Sequence, residues 1–529
     1  MDRQKPDTTT NEIDLYIRTY YSLLRSSGEI RVRSLEEVHS YSQSSLHVGA
    51  RSPEPDLAAF GYAAARLPGC MPRVERVILG QSLETFESFG YPVRDWVRVE
   101  TRGRRRPLRY DGSSTLAAFV ASSSDIDDLI PILCAYQIEW NKLHARALSD
   151  RQGLGLSDAD RARLREALGV NAGDPFVDCM ERRLDLRVRL LAGAFSEYQR
   201  AAQRWWSAIE QRYVSGDRSP RPVYFVSSNT HALANLLGGY ALAHSEALGA
   251  RDANDLYFRL REHLKDDPRM LEPVLAWDRE GGIESIRNRA QVEVDAQRIE
   301  IARLRPERFD PRLQMSGLDA LARSDAVVLN IDYPLGMAAY HLLSRVGQGV
   351  GPLLGVYVMG KAATLNAQVG DVMISRVVHD EHSQNTYLFR NAFSADDVSP
   401  YLVHGTVLDN QKAVTVRGPF LQNPRYMNVF YREGYSVLEM ESGPYLSAVY
   451  EHVDPRRHPN DELVELSDRC TVELGILHYA SDTPISRRQA LLSKSLGAFG
   501  MDATYACATA ITRRILEREL ERIAAQRAR

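Results

Sequence analysis

Cysteine is scarce and scattered in this sequence. Five cysteines occur among 529 residues, and no two of them form a CxxC pair. They are Cys70, Cys134, Cys179, Cys470 and Cys507. This spacing argues against a disulfide framework and against a cysteine zinc site. We therefore expect a protein of a reducing compartment, the cytoplasm, with no metal and no organic cofactor.

Long apolar runs and a charge excess are also missing. No run of about 18 apolar residues is present, so no transmembrane helix is expected. The polar start, MDRQKPDTTTNE, lacks the apolar core of a secretion signal. Lys and Arg number 66 against 69 Asp and Glu, a net charge of −3, so neither nucleic acid nor a membrane is an expected partner. The hydrophobic content of 44% excludes disorder over most of the length.

The first three-fifths of the chain predict mainly helix. Residues 1–11 are expected to be a flexible tail, and residues 12–310 a mainly helical region of unknown role with one or two subdomains. Apolar residues recur at helical spacing in Ile126–Leu148, Val177–Tyr213 and Glu284–Leu304. One β-type run, Arg221–Ser228, interrupts this pattern.

Residues 311–529 alternate short β-type runs with helical patterns. The predicted strands are Ala326–Ile331, Leu353–Met359, Gly370–Val378, Leu402–Leu408, Tyr435–Met440 and Leu474–Tyr479. The predicted helices are Leu335–Val346, Gly443–Glu451 and Met501–Ala525. This alternation predicts an α/β domain with a mixed, mostly parallel central sheet flanked by helices.

In such sheets, ligands bind beyond the carboxyl ends of the strands, so the residues after each strand are the candidates for function. Asp332-Tyr333-Pro334-Leu335-Gly336 follows the first strand, and Gly360-Lys361 the second. Glu441 and Asp482 each follow a later strand. A partly buried carboxylate needs hydrogen-bond donors, which a substrate diol supplies. A second carboxylate with a raised pKa suits general-acid catalysis.

Four segments in order carry a family resemblance. They are MGKAATLNAQVGDVMIS, HGTVLD, VLEMESGPYLSAVY and ILHYASDTP. Their order resembles that of the nucleoside phosphorylase and nucleosidase superfamily over residues 326–529, and within it that of AMP nucleosidases. The preceding half of the chain does not look like the N-terminal region of AMP nucleosidases.

The resemblance implies roles for the matching residues. Glu441 would bind the ribose hydroxyls, with Met440 against the sugar. Asp482 would act as the acid at a departing purine base. The other residues expected at the substrate are Ser481, Tyr333, Gly336, Gly360, Lys361 and His382. The implied reaction is cleavage of an N-glycosidic bond through an oxocarbenium-like state, with electronics similar to those of glycoside hydrolysis.

The sequence also departs from this pattern. Hexameric phosphorylases carry a phosphate-binding arginine at the position of Val358 in this chain. They carry a small hydroxyl residue at the position of Lys361. Water is therefore the expected nucleophile, with a phosphate-dependent phosphorylase as the alternative and inorganic phosphate as its co-substrate. From another class, a catalytically silent nucleotide sensor stays open.

Two further clusters carry weaker signals. His379 to His382 contains metal-ligand types, but a loop that closes over the substrate, with His382 or Asn385 reaching inward, is the preferred interpretation. Arg102 to Arg109 is a basic run that is expected to be a solvated surface. We also expect a homo-oligomer, and an N-terminal half that covers the site and offers Asn229, His231 or Arg105 to a substrate phosphate.

Overall fold

The computed structural model describes residues 12–103, 106–149, 157–160, 162, 182–191, 193–213, 221–250, 253–287, 292–468, 470–482 and 497–528. The helices of this part are α1 (Glu12–Ser27), α2 (Arg33–Tyr41), α3 (Leu57–Ala65), α4 (Leu83–Ser88), α5 (Ser123–Ser149), α6 (Phe195–Tyr213), α7 (Ala232–Gly238), α8 (Tyr240–Ala243), α9 (Ser245–Leu248), α10 (Ala253–Asp266), α11 (Leu271–Glu280), α12 (Met337–Gly349), α13 (Ala395–Val398), α14 (Pro424–Arg432), α15 (Ser442–Val453) and α16 (Gly497–Arg527).

The strands of the same part are β1 (Glu29–Arg31), β2 (Arg76–Gly80), β3 (Val97–Val99), β4 (Leu108–Tyr110), β5 (Thr115–Phe119), β6 (Arg187–Leu190), β7 (Val223–Ser227), β8 (Ile283–Ile286), β9 (Ala296–Glu300), β10 (Val327–Ile331), β11 (Leu353–Thr364), β12 (Val372–Asp380), β13 (Thr386–Leu388), β14 (Val407–Thr415), β15 (Tyr435–Glu439), β16 (Leu463–Glu465) and β17 (Glu473–Asp482). Among the residues described, no helix combines the length and apolarity needed to cross a membrane.

The N-terminal region is mostly helical, as predicted, but it also holds a six-stranded sheet. The strand order of this sheet is β1-β6-β2-β5-β4-β3. The central helix α5 is buried along most of its length, and its Tyr136 stacks on Phe60 of α3 with ring centres 5.2 Å apart. The sheet was not predicted because its strands are only three to five residues long.

The second sheet is mixed and not mostly parallel, which corrects the prediction. Ten strands follow the order β16-β13-β12-β14-β15-β11-β7-β10-β9-β8, and β17 pairs with both β11 and β12. Parallel and antiparallel pairings are nearly equal in number. Because β17 joins β11 to β12, the strands β12, β14, β15, β11 and β17 close into a ring.

Strands from before residue 310 also belong to this second sheet. β7 lies between β10 and β11 and is parallel to both. The segment Glu284–Leu304, predicted as a helix, instead provides β9 and most of β8, which pair in an antiparallel hairpin. The division of the chain at residues 310 and 311 stays a prediction about domains, but the sheet continues across it.

Candidate active site

The ring of strands brings the predicted site residues together by a specific register. β11 and β15 are antiparallel and pair near their carboxyl ends, with Ala363 opposite Leu438. The residues before Ala363 therefore approach the residues after Leu438. β17 runs parallel to β11 on its other side, with Lys361 opposite Tyr479.

A cavity of about 650 Å³ lies at this convergence. The predicted residues that line it are Tyr333, Gly360, Lys361, Met440, Glu441 and Ser481. Its size falls in the range of about 300–1,000 Å³ typical of small-molecule sites. Gly336 and His382 lie together against Ser124 of α5, behind this lining. The side chain of Asp482 lies outside the described part of the chain, and its backbone pairs opposite Ala363.

The prediction that Gly360 and Lys361 follow a strand is wrong, because both residues lie inside β11. β11 continues to Thr364 because its pairing with β17 extends past Gly360. The Lys361 side chain is exposed on the cavity wall. Lys361 thus places a positive charge on β11, which pairs with β17, the strand that carries Ser481.

The turn that carries Glu441 is organised by the buried carboxylate of Glu439. Oε2 of Glu439 accepts the backbone N–H groups of Glu441, at 2.8 Å, and Ser442, at 2.7 Å. Its Oε1 accepts the hydroxyl of Thr415, and the Thr415 oxygen accepts the N–H of Gly443 at 2.8 Å. These bonds fix the backbone on both sides of Glu441 where α15 begins.

Burial sets the protonation of the groups beneath this turn. Burial raises the pKa of Glu439, while the hydrogen bonds from Thr415 and Ser442 oppose the rise. His478 lies 3.7 Å from Glu439, and burial lowers the pKa of this imidazole to about 4. His478 is therefore neutral near pH 7.

The loop after β10 forms another wall of the cavity. Tyr333 lies in this loop, and burial raises the pKa of its hydroxyl well above the ordinary value. Gly336 has φ 50° and precedes α12. A Cβ at Gly336 would lie 2.3 Å from Oγ of Ser124, so glycine is required there by both conformation and space.

The N-terminal region supplies a large part of the lining. Its residues at the cavity include Ser45, Leu46, Tyr62, Arg66, Gly103, Arg106, Pro107, Phe119, Ala121, Asp125, Thr230, Arg261, Val292, Glu293 and Val294. Asn229 and His231 also line the cavity, and the Asn229 side chain caps α7 by accepting the N–H of Ala232 at 2.7 Å. Arg105 lies outside the described residues.

The basic run contains one buried arginine, contrary to the expectation of a solvated surface. Arg106 contacts Asp125 at 3.3 Å and Asp128 at 2.9 Å, with only 3% of its side chain exposed. The basic run drew attention to Arg106 in the sequence. Its burial could not be predicted from the run, because the acidic partners lie about 20 residues later on α5. No pattern in the sequence pointed to Arg66, which lies over the Tyr62 ring at 3.4 Å.

The two histidines of the segment from His379 to His382 form hydrogen bonds with other protein side chains. His379 bonds to the Thr386 hydroxyl at 3.0 Å, and His382 bonds to Asp380 at 2.9 Å. In the part of the chain that the structure describes, no three His, Cys, Asp or Glu side chains form a group that could hold a metal ion. Asn385 was expected to reach into the cavity, but it is buried and donates a hydrogen bond to Tyr387 at 3.0 Å.

The fold is mixed α/β, and a cavity of the size of a small-molecule site lies at its strand ends. The chain belongs to a family of unknown function, DUF6909, whose model matches residues 32–152, 148–250 and 249–517. No curated protein matches it significantly.

Solved structures with a detectable likeness include nucleosidases and phosphorylases. A 5'-methylthioadenosine/S-adenosylhomocysteine nucleosidase from Neisseria meningitidis, in complex with methylthio-immucillin-A, is 10% identical, with a TM-score of 0.32 over 56% of this chain and 99% of that chain. A uridine phosphorylase from Schistosoma mansoni in complex with uracil is 10% identical, with a TM-score of 0.31 over 56% of this chain and 87% of that chain. At these scores, function has to be inferred from the residues of the site.

Proposed function

We propose that this chain is an enzyme that hydrolyses the bond between base and ribose of a nucleoside or nucleotide. In this proposal Glu441 binds the ribose hydroxyls and Asp482 is the acid at the base. The observation that carries it is that Met440, Glu441 and Ser481, from two different strand ends, line one cavity of about 650 Å³.

The electrostatics of the turn support this role for Glu441. An oxocarbenium-like sugar carries positive charge, which a fixed carboxylate stabilises most in a site shielded from water. Glu441 is half-buried, and its backbone is held by the Glu439 and Thr415 bonds. A carboxylate held in place needs little reorganisation as the charge develops.

The position of Asp482 supports the acid role through its backbone alone. It is the last residue of β17 and pairs opposite Ala363, next to the residues that precede Glu441 in the ring. General-acid help at a leaving group contributes about 10²–10⁴ in rate. Asp482 therefore stays the proposed acid on its sequence and backbone position.

Product analysis tests the proposal. The full-length protein is incubated with a panel of nucleosides and nucleotides, with and without inorganic phosphate, and the products are separated by chromatography. Free base with ribose or ribose phosphate supports hydrolysis. If a sugar 1-phosphate forms only when phosphate is present, the reaction is phosphorolysis and not hydrolysis. The exposed Lys361 would then be the phosphate ligand. Binding without turnover across the panel contradicts the enzyme and favours a sensor.

A matched pair of variants distinguishes the site from the fold. Glu441→Gln removes the charge at the proposed ribose contact. Glu433→Gln makes the same change on an exposed side chain just before β15, at the opposite end of the strand that leads to Glu441. Base release should fall only in the first variant. Equal activity in the two variants contradicts the assignment.

A further inference from the structure

The amino-terminal end of α5 reaches the loops that follow three strands of the mixed sheet. Ser124 of this helix accepts the backbone N–H of Met337, after β10, at 2.9 Å. It also contacts His382, after β12, at 3.0 Å. Asp127, one turn further along, accepts two bonds from Arg417, after β14, at 2.7 and 3.0 Å. A single helical end of the N-terminal region therefore contacts three loops, and those after β10 and β14 line the cavity.

The contact through Ser124 is a relay of three buried side chains. Nδ1 of His382 lies 2.9 Å from Asp380, and its Nε2 lies 3.0 Å from Ser124. Burial raises the pKa of Asp380, but bonds from His382 and Ser383 outweigh burial and hold that pKa below its usual value. Nδ1 of His382 thus faces the Asp380 carboxylate, and Nε2 of the same ring faces the Ser124 hydroxyl.

This order of groups is also that of a nucleophilic serine relay, but the surroundings exclude that use. Ser124 is fully buried. Its oxygen already accepts the Met337 N–H, and a Cβ on Gly336 would come within 2.3 Å of it. No space remains beside the oxygen for a substrate carbonyl. The relay therefore acts on the protein itself.

We propose that Ser124 is a positioning residue for the reaction, which anchors the loop after β10 in the shape that binds substrate. The cavity lining contributed by this segment is Asp332, Tyr333, Pro334, Leu335 and Ala338. The proposal rests on the proposed function. Its consequence is that the N-terminal region controls substrate affinity through a fixed contact.

Hydrogen exchange of the full-length chain tests the anchor without any substrate. Ser124→Ala removes the only acceptor that the structure gives the Met337 N–H among the described residues. Ser123→Ala, one residue earlier on the same helix, is the control. Loss of a buried hydrogen bond of this kind should speed exchange in peptides covering residues 333–340 by about tenfold. Peptides from β10 should be unchanged.

Kinetics then separate positioning from stability alone. With a cleaved substrate, Ser124→Ala should raise KM by several-fold and leave kcat nearly unchanged, because the wall contributes equally to ground-state and transition-state binding. Unchanged exchange at residues 333–340, or faster exchange with unchanged KM, overturns the proposal. If Ser124→Ala speeds hydrogen exchange throughout the chain, the exchange of residues 333–340 is measured in His382→Ala instead. Faster exchange confined to these residues supports the anchor, and unchanged exchange there overturns it. Absence of turnover in the unmodified protein counts against the proposed function, whereas the exchange result counts for or against the anchor.

Discussion

Thr415 offers the sharpest test of how the Glu441 turn is held. Its hydroxyl donates to Glu439 and accepts the N–H of Gly443 at 2.8 Å, and all three groups are buried. Thr415→Val keeps the shape of the side chain and removes both bonds. Thr415→Ser keeps the hydroxyl and loses one methyl group. The pair therefore separates hydrogen bonding from packing at one position.

The magnitude follows from the groups left without partners. A hydrogen bond to a charged group contributes about 1.5–3 kcal/mol, and a buried N–H without a partner costs about 1–3 kcal/mol. Their overlap in one network suggests a loss of roughly 2–4 kcal/mol in Thr415→Val. The methyl group lost in Thr415→Ser is worth about 1 kcal/mol.

Urea unfolding followed by tryptophan fluorescence orders the three proteins. We expect the midpoint of Thr415→Val to lie clearly below that of Thr415→Ser, which stays close to the unmodified chain. Base release, measured beside it, should fall in Thr415→Val because the Glu441 backbone is no longer fixed. If Thr415→Val unfolds at the same urea concentration as Thr415→Ser and remains as active, the network does not hold the turn.

Three other changes test separate parts of the chain. Glu441→Gln should weaken both substrate binding and turnover, measured as KM and kcat for base release. Asp482→Asn should lower kcat by about 10²–10⁴ with little change in thermal stability, because it keeps the shape but cannot deliver a proton. Burial raises the pKa of Asp278 to about 7, so its contribution to stability is fully present below about pH 4 and is lost as pH rises through 7. Asp278→Asn should therefore be more stable than the unmodified chain at pH 8, by up to about 4 kcal/mol, and not at pH 4; equal melting temperatures at both pH values would show that folding does not raise the pKa of Asp278.

Segments that the sequence predicted to lie together do line one cavity, although the expected predominance of parallel pairing was wrong. The expected sheet was mixed but mostly parallel, with the carboxyl ends of its strands at one edge. The structure instead pairs β11 and β15 in antiparallel fashion near their carboxyl ends, with Ala363 opposite Leu438. Either arrangement brings the end of β11 close to the turn after β15, so Lys361 and Glu441 line the same cavity whichever way the strands run. Strand direction depends on connections across the ring, which apolar periodicity does not encode.

Local patterns failed where tertiary pairing decided the structure. Glu284–Leu304 has the charged, periodic composition of a surface helix, but Ile283 pairs with Ile299 in a hairpin. Both isoleucines are buried, and β9 also pairs with β10. A segment that adds two strands to a buried sheet is stabilised by its partners, and their contribution outweighs helix propensity.

The N-terminal wall was the least predictable part of the site, and Arg106 shows why. Its neighbours in sequence are basic, which suggests a solvated or anion-binding face. In the fold its guanidinium lies between two carboxylates of α5 and is almost completely buried. Because Arg106 is already paired with Asp125 and Asp128, this side chain offers little attraction to a substrate phosphate. A basic run therefore predicts an anion site only when the residues that fold against it are known, and here those residues come from the helix that also anchors the loop after β10.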